Sequence, residues 1–187
     1  MLDLNFHPFP NLETERLLLR AITMDDAETL FELRRDVDVM RFIDRERHQT
    51  VADTRVLIQK ILDGLEANEA IAWAITLKGN PQLVGTISFH RIEKEHYRGE
   101  IGYMLNPKLW RKGIVGEAMT KVLDFGFKSM NLHSIEANVN PHNSASSSLL
   151  KKHGFVLEAS FKENYFFNGK FIDTEIYSLL EKRELSN

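Results

Sequence analysis

The sequence predicts a single domain of mixed α/β class that spans residues 1–187, with a core from about 12 to 181. Apolar and polar side chains alternate between residues 70 and 105, which is the pattern of half-buried strands. Apolar residues recur at helical spacing from Val115 to Gly126 and again over residues 50–65. Composition agrees, because 187 residues with 43% apolar content suffice for one core and no linker or repeat divides them.

The first predicted elements are a short strand and two helices. Residues 12–20 end in an apolar strand. Thr23 then stands as a helix N-cap, with Asp25 and Asp26 in the first turn, where carboxylates favour the helix dipole. A second helix is expected over residues 50–65.

Three strands are predicted next. Residues 71–76 and 85–90 alternate, and the turn at 78–81 joins them as a hairpin. The polar stretch 93–96 leads to a third strand over 97–105. Alternation places Glu100, Gly102 and Met104 on one face of this third strand and residues 101, 103 and 105 on the other.

The second half of the chain continues with helices and strands in turn. A glycine-containing turn opens the helix whose apolar face includes Val115 and Gly126, and a strand over 134–139 follows. A helix over 144–153 is closed by Gly154, and two strands are expected near 156–166 and 171–179.

The turn between Asn106 and Ala118 has the features of an anion site. A strand leads into it and a helix begins from it, so unpaired N–H groups at the helix start lie beside Arg111 and Lys112. Neither a P-loop nor a dinucleotide-binding pattern fits its glycines. From the residues alone, a phosphate cradle and a merely basic loop both stay open.

The same turn resembles the acetyl-CoA pyrophosphate loop of the GNAT acyltransferases. Its Trp110, Lys112, Gly113, Glu117 and Ala118 are in register with the branch that includes the ribosomal-protein N-terminal acetyltransferases (RimJ/RimL-like). Trp110 replaces the usual Gln or Arg of the superfamily, and Val115 replaces a small residue. The predicted element order, β-α-α-β-β-β-α-β-α-β-β, is also that of the GNAT fold, which implies a mixed sheet of about seven strands flanked by about four helices.

The resemblance implies an N-acetyltransferase that uses acetyl-CoA as donor and transfers the acetyl group directly to a primary amine in a ternary complex. The expected acceptor is a protein N-terminal amine. A small-molecule amine (polyamine, amino acid or antibiotic) and a non-catalytic acyl-CoA-binding sensor remain alternatives, as does an enzyme that acts on nucleotides. The residues implied to contact the cofactor are Tyr103, Met104, Leu105, Arg111, Lys112, Gly113, Ile114, Val115, Gly116, Asn138, Asn143 and Ser146.

Two side chains are expected to move protons. Glu100 is the candidate base, and burial on a central strand is expected to raise its pKa; the alternative is a structural carboxylate paired with Arg98 or Arg91. Ser146 is the candidate acid for the departing thiolate, because the position where other GNAT enzymes have a tyrosine is Leu150. Ser147, Ser148 and departure of the thiolate without a proton donor remain alternatives.

Two further residues have structural roles that their local sequence predicts. Asn143 suits a helix N-cap as well as a cofactor contact. Glu117 is expected to form a surface pair with Lys121 at i,i+4 spacing.

Composition and spacing exclude several other classes. The chain has no cysteine, so neither a disulfide framework nor a thiolate nucleophile is expected, and its histidines lack the spacing of a metal site. A formal net charge of −3 argues against general nucleic-acid binding, and no apolar run suggests a membrane span. A cytoplasmic location is expected, a homodimer is left open, and residues 36–48 and 165–173 are predicted to select the acceptor.

Overall fold

The computed structural model describes residues 1–181, in which eight strands form one sheet of order β1-β2-β3-β4-β5-β6-β8-β7. The strands are β1 (Leu12–Glu13), β2 (Leu17–Ala21), β3 (Ile71–Leu77), β4 (Asn80–Glu93), β5 (Arg98–Leu105), β6 (Ser134–Val139), β7 (Val156–Phe167) and β8 (Lys170–Leu180). The α-helices are α1 (Ala27–Arg35), α2 (Val37–Met40), α3 (Val51–Glu66), α4 (Ile114–Lys128) and α5 (Ser144–Lys152). The α/β class and the GNAT order of elements are confirmed, with the short β1 and α2 as additions.

The predicted caps Asn143 and Gly154 lie at the two ends of α5, and Thr50 is an N-cap that the sequence had not suggested. The Thr50 hydroxyl accepts from the Asp53 N–H at the start of α3, and the Asn143 side chain accepts from the Ser146 N–H at the start of α5. Gly154 has φ +87° just after α5, which is a conformation that favours glycine. Thr23 precedes a single 3₁₀ turn, Met24–Asp26, and α1 begins after it.

Pairing in the sheet is antiparallel except between β5 and β6. These two strands pair in parallel over only three positions, and the last of these joins Glu100 to Glu136. Beyond it, β5 remains paired with β4 up to Leu105, and β6 remains paired with β8 up to Val139. The two central strands therefore separate after Glu100 and leave a gap in the middle of the sheet.

Apolar side chains cover the sheet on both faces. Trp73 of β3 is fully buried on one face, where its ring packs edge-on against Phe125 of α4 at 5.4 Å between centroids. On the other face, Leu30 of α1 and Ile58 of α3 belong to a second buried cluster against which Met104 packs. Thus α4 and α5 lie on one side of β5, and α1 and α3 lie on the other.

Candidate active site

The predicted anion turn lies between β5 and α4. The indole N–H of Trp110 donates to the Leu105 carbonyl at 2.9 Å, so this side chain fixes the turn to the end of β5. Arg111 and Gly113 have φ of +60° and +75°, which turn the chain sharply into the helix. A Cβ added at Gly113 would lie 3.5 Å from the nearest atom, Nη2 of Arg16, so the positive φ rather than crowding favours glycine here.

The N–H groups of this turn are arranged as an anion site requires. The first intrahelical hydrogen bond of α4 runs from the Glu117 N–H to the Gly113 carbonyl at 3.0 Å, which leaves the amides of Ile114, Val115 and Gly116 without helical acceptors. Arg111 and Lys112 are exposed beside them. Peptide amides and two cations thus converge at a helix N-terminus, where a pyrophosphate group would be stabilised.

The predicted pairing of Glu117 with Lys121 is wrong. The Glu117 carboxylate instead accepts from the Arg16 backbone N–H at 2.9 Å, from Arg16 Nε at 2.6 Å and from the Thr14 hydroxyl. Arg16 also donates from Nη1 to the Lys112 carbonyl at 3.1 Å. Burial acts to raise the pKa of Glu117, but the hydrogen bonds from Thr14 and Arg16 outweigh it and lower the pKa. Arg16 and Glu117 therefore fix the turn to the start of β2.

Glu100 lies where β5 and β6 begin to separate. Its Oε1 accepts from Asn138 Nδ2 of β6 at 2.8 Å, and His90 Nε2 of β4 lies 3.3 Å away. Arg98 and Arg91, the predicted alternative partners, instead contact Glu93. Glu100 is therefore held by an amide and an imidazole at the edge of the gap.

The expectation that burial raises the pKa of Glu100 is wrong. Burial does act in that direction, but the hydrogen bonds from His90 and Asn138 and the nearby positive charges outweigh it, so the pKa lies below its usual value. Glu100 is therefore ionised at neutral pH and ready to accept a proton.

His90 reaches Glu100 because of two backbone features that sequence reasoning missed. The register between β4 and β5 shifts between Phe89 and Arg91, so His90 is the extra residue of a bulge. A Cβ added at Gly102 would lie 3.0 Å from His90 Nδ1, so glycine there leaves room for the ring.

The opposite face of β5 carries a pair of hydroxyl groups. The Tyr103 hydroxyl lies 2.6 Å from Ser146 Oγ in the first turn of α5. Burial raises the pKa of Tyr103 to about 12, so its hydroxyl keeps its proton at neutral pH. Leu150 is fully buried and has no polar group. The structure thus brings the predicted acid Ser146 together with Tyr103, whose hydroxyl the sequence had not suggested as a proton donor.

The backbone N–H and C=O groups of β5 point alternately toward β4 and toward the gap. The Asn106 N–H donates to the Val84 carbonyl of β4, so residues 102 and 104 direct their amides to β4 as well. Tyr103 and Leu105 therefore face β6 across the gap, and the Leu105 carbonyl is already occupied by Trp110. Of the three predicted β5 contacts, Tyr103 has both an amide and a hydroxyl near the gap, whereas Met104 packs its side chain on the α1–α3 side.

A cavity of about 810 Å³ lies between the loop after α2, the turn after β6 and the β7–β8 hairpin. Its lining includes nine residues within 37–49 from α2 and the following loop, residues 140–142 after β6, and residues within 163–173 of the β7–β8 hairpin. The hairpin and the loop are joined by a hydrogen bond of 2.9 Å from Arg45 Nη1 to the Tyr165 hydroxyl. The structure therefore brings together the two segments that the sequence predicts to select the acceptor.

A profile of the acetyltransferase (GNAT) domain matches residues 16–156, which include every element from the start of β2 to the end of α5. The chain belongs to the GNAT family. It is an acetyl-CoA-dependent N-acetyltransferase, and acetyl-CoA is the acetyl donor.

Relatives of this GNAT enzyme span nearly its whole length. An uncharacterized N-acetyltransferase of Bacillus subtilis, YoaA, is 37% identical and covers 94% of this chain and 99% of its own. A spermidine N(1)-acetyltransferase of Vibrio cholerae is 25% identical over 91% of this chain and 96% of its own. The crystal structure of ribosomal-protein-S5-alanine acetyltransferase from Vibrio fischeri is 26% identical, covers 92% of this chain and 97% of its own, and has a TM-score of 0.82.

Two further observations concern ions and membranes. Within residues 1–181 of this GNAT enzyme, no group of three or more His, Asp or Glu side chains is arranged to hold a metal ion. No helix in the same part of the chain is long and apolar enough to cross a membrane.

Proposed function

We propose that this enzyme transfers the acetyl group directly from acetyl-CoA to the N-terminal amine of a protein, with Glu100 as base and the Ser146–Tyr103 pair as acid. One observation carries the proposal: a carboxylate and a pair of hydroxyls lie on opposite faces of β5, beside the gap between β5 and β6. A reaction that removes a proton on one side and delivers one on the other suits this arrangement.

The donor is held by the turn and the gap. The amides from Arg111 to Gly116 bind the pyrophosphate, with Arg111 and Lys112 as exposed cations beside it. The narrow arm of the donor fits between β5 and β6, where Asn143 and Asn138 lie along one wall. The gap-facing amide of Tyr103 donates to the thioester carbonyl, which makes that carbon more electrophilic.

Glu100 acts on the side of the acceptor. It faces the α1–α3 side of the sheet, as Met104 does, and its lowered pKa keeps it ionised when an ammonium group arrives. After the ammonium group has lost one proton to solvent, the carboxylate takes a second proton from the nitrogen, directly or through a water molecule, as the nitrogen bonds to the carbonyl carbon. Asn138 and His90 hold the carboxylate in place during this step.

Ser146 and Tyr103 act on the side of the leaving group. As the carbon–sulfur bond breaks, Ser146 gives its proton to the sulfur and takes one from Tyr103 across their 2.6 Å contact, and the phenolate regains a proton from solvent after the products leave. Because the pKa of Tyr103 is raised, the phenol donates a hydrogen bond and remains neutral before the reaction.

The protein N-terminus is proposed as acceptor on the resemblance of the turn at Trp110 to the ribosomal-protein branch. The similar fold of the S5-alanine acetyltransferase supports this choice. The spermidine acetyltransferase among the relatives is the reason to test polyamines alongside peptides.

The test follows thiol release from acetyl-CoA with a set of peptides, amino acids and polyamines, for the wild type and Glu100→Gln. We expect turnover with an α-amine peptide and a drop in kcat of about 100-fold or more in Glu100→Gln, which is typical for the loss of a general base. The matched control is Glu136→Gln, because Glu136 pairs with Glu100 in register on β6 but contacts Arg98 instead. Tight CoA binding without turnover for any amine would favour a sensor, and an undiminished rate in Glu100→Gln would remove the assigned base.

A further inference from the structure

His153, which lies directly after α5, connects that helix to the first turn of α4. Its Nε2 lies 3.0 Å from the Gly116 carbonyl oxygen, and its Nδ1 lies 2.9 Å from the Leu149 carbonyl oxygen of α5. The Thr120 hydroxyl lies 3.3 Å from the same Nε2. A half-buried imidazole ring is therefore placed between a backbone carbonyl of each helix.

The peptide group that His153 reaches is the one that closes the first turn of α4. The Gly116 carbonyl and the Glu117 N–H belong to one peptide unit, and that N–H donates to the Gly113 carbonyl at 3.0 Å. The N–H groups from Ile114 to Gly116 lie directly before this unit. A carbonyl oxygen can only accept, so the bond to Gly116 requires a proton on Nε2. Such a bond fixes the orientation of the peptide that follows the free amides.

The first turn of α4 is weak by itself because it contains Gly116. Glycine has the freest backbone of all residues and is unfavourable in a helix relative to alanine. A Cβ added at Gly116 would lie 3.4 Å from His153 Cε1 and 3.5 Å from Leu149 Cδ1. The missing side chain therefore lets the imidazole ring pack directly against the backbone of the turn, which depends on such neighbours for a fixed conformation.

Two other elements of the fold support this turn. From β2, Arg16 binds the carboxylate of Glu117. From the end of α5, His153 binds the carbonyl of Gly116. Ser146 lies in the first turn of the same α5, so one helix holds the anion turn at its end and carries the proposed acid at its start.

We propose that His153 is a positioning residue for acetyl-CoA, which acts through Gly116 by holding the amides of the anion turn in the conformation that binds the pyrophosphate. This inference rests on the proposed role of that turn. Donors that are already oriented lose less entropy when the ligand binds, so the contact from His153 raises the affinity for CoA. The acceptor side is not affected, because other segments line the cavity of about 810 Å³.

The test measures the affinity for CoA in variants that keep or remove each ring contact. His153→Leu removes both contacts, and we expect the Kd for CoA and the KM for acetyl-CoA to rise about tenfold, or about 1.4 kcal/mol, while kcat and the KM for the amine are kept. His153→Gln keeps an N–H donor at the reach of Nε2 and should restore the affinity to within about threefold of the wild type. His153→Asn keeps a polar group only at the reach of Nδ1, so it should bind CoA as weakly as His153→Leu.

The matched control is Lys152→Leu. Lys152 is the exposed last residue of α5 and directly precedes His153, so its replacement removes a nearby side chain without touching the anion turn. We expect its Kd for CoA to equal that of the wild type. An unchanged Kd in His153→Leu, or equal losses in His153→Leu and His153→Gln, would overturn the proposal.

A donor without a pyrophosphate distinguishes positioning from general support of the fold. S-acetyl-pantetheine has the thioester and its arm but no phosphate group. We expect kcat/KM with this donor to be the same in the wild type and in His153→Leu. Equal losses with acetyl-CoA and S-acetyl-pantetheine would indicate a merely structural role and would contradict the proposal.

Titration with CoA also separates this inference from the proposed function, because it requires no turnover of an amine. Gly113→Val changes the anion turn itself and serves as the reference. Weaker binding in Gly113→Val with unchanged binding in His153→Leu would contradict only the role of His153. Unchanged binding in both variants would contradict the assignment of the turn to the pyrophosphate.

Discussion

Replacement of Gly113 by valine tests whether the backbone conformation of the anion turn is needed for CoA binding, and Gly79→Val controls for the loss of stability. Gly113 has φ +75°, and a β-branched residue there costs roughly 1–2 kcal/mol. Gly79, in the β3–β4 hairpin, has φ +83° and nothing within 4 Å of an added Cβ, so Gly79→Val carries a similar backbone cost far from the turn. Both variants should therefore lose similar free energy of unfolding.

Only Gly113→Val should lose affinity for CoA. If the valine relaxes toward negative φ, the amides of Ile114 and its neighbours no longer converge on one point. Loss of two charge-assisted hydrogen bonds of about 1.5 kcal/mol each gives about 3 kcal/mol, or roughly 100-fold in Kd. Calorimetric titration with CoA measures the affinity, and urea denaturation measures the stability. An unchanged Kd in Gly113→Val, or an equal loss in Gly79→Val, would refute the assignment of this turn to the pyrophosphate.

Three further predictions concern the site and its support. Glu117→Gln removes the charge that pairs with Arg16, so it should weaken CoA binding about fivefold, or about 1 kcal/mol. The control Lys121→Met should leave CoA affinity unchanged. Equal losses of affinity in the two variants would argue against a role for the Glu117–Arg16 pair in holding the turn. Because its pKa is lowered, Glu100 stays charged at neutral pH, so kcat/KM between about pH 6 and 9 should follow the acceptor amine. The variant His90→Ala removes a contact that lowers the pKa of Glu100 and should move the acid limb of the pH profile to higher pH; an unshifted limb would contradict this. Gly126→Ala places a Cβ 2.8 Å from the ring of the buried Phe89. The clash should outweigh the gain in helix propensity and lower the free energy of unfolding by about 1 kcal/mol, as measured by urea denaturation. A variant more stable than the wild type would contradict this packing.

Local signals in the sequence were sufficient for most elements. The strand predicted over 134–139 is β6, and the helix after Asn143 ends before Gly154, as its caps indicate. These features depend on side-chain period and on capping groups within a few residues. The short β1 and α2 were missed because two or four residues carry no measurable period.

The wrong side-chain predictions concern contacts between residues distant in sequence. Lys121 was a plausible partner for Glu117, but Arg16 lies more than one hundred positions away and reaches it only because β2 passes beside α4. Burial of Glu100 was anticipated, but the direction of its pKa shift was not, because that shift depends on Asn138 and on a bulge that brings His90 to within 3.3 Å of the carboxylate. The position of Ser146 was predicted, but its partnership with Tyr103 depends on how α5 packs on β5, which no local pattern encodes.

We propose that the acetyl group passes directly from CoA to an amine across the gap between β5 and β6, with no acyl-enzyme. The test measures initial rates while acetyl-CoA and a peptide amine are each varied at several fixed concentrations of the other. The chain has no cysteine that could carry the acetyl group. Intersecting double-reciprocal lines, with no mass increase of the protein in acetyl-CoA alone, are the predicted result. Parallel lines together with an acetylated protein would contradict direct transfer and indicate an acyl-enzyme.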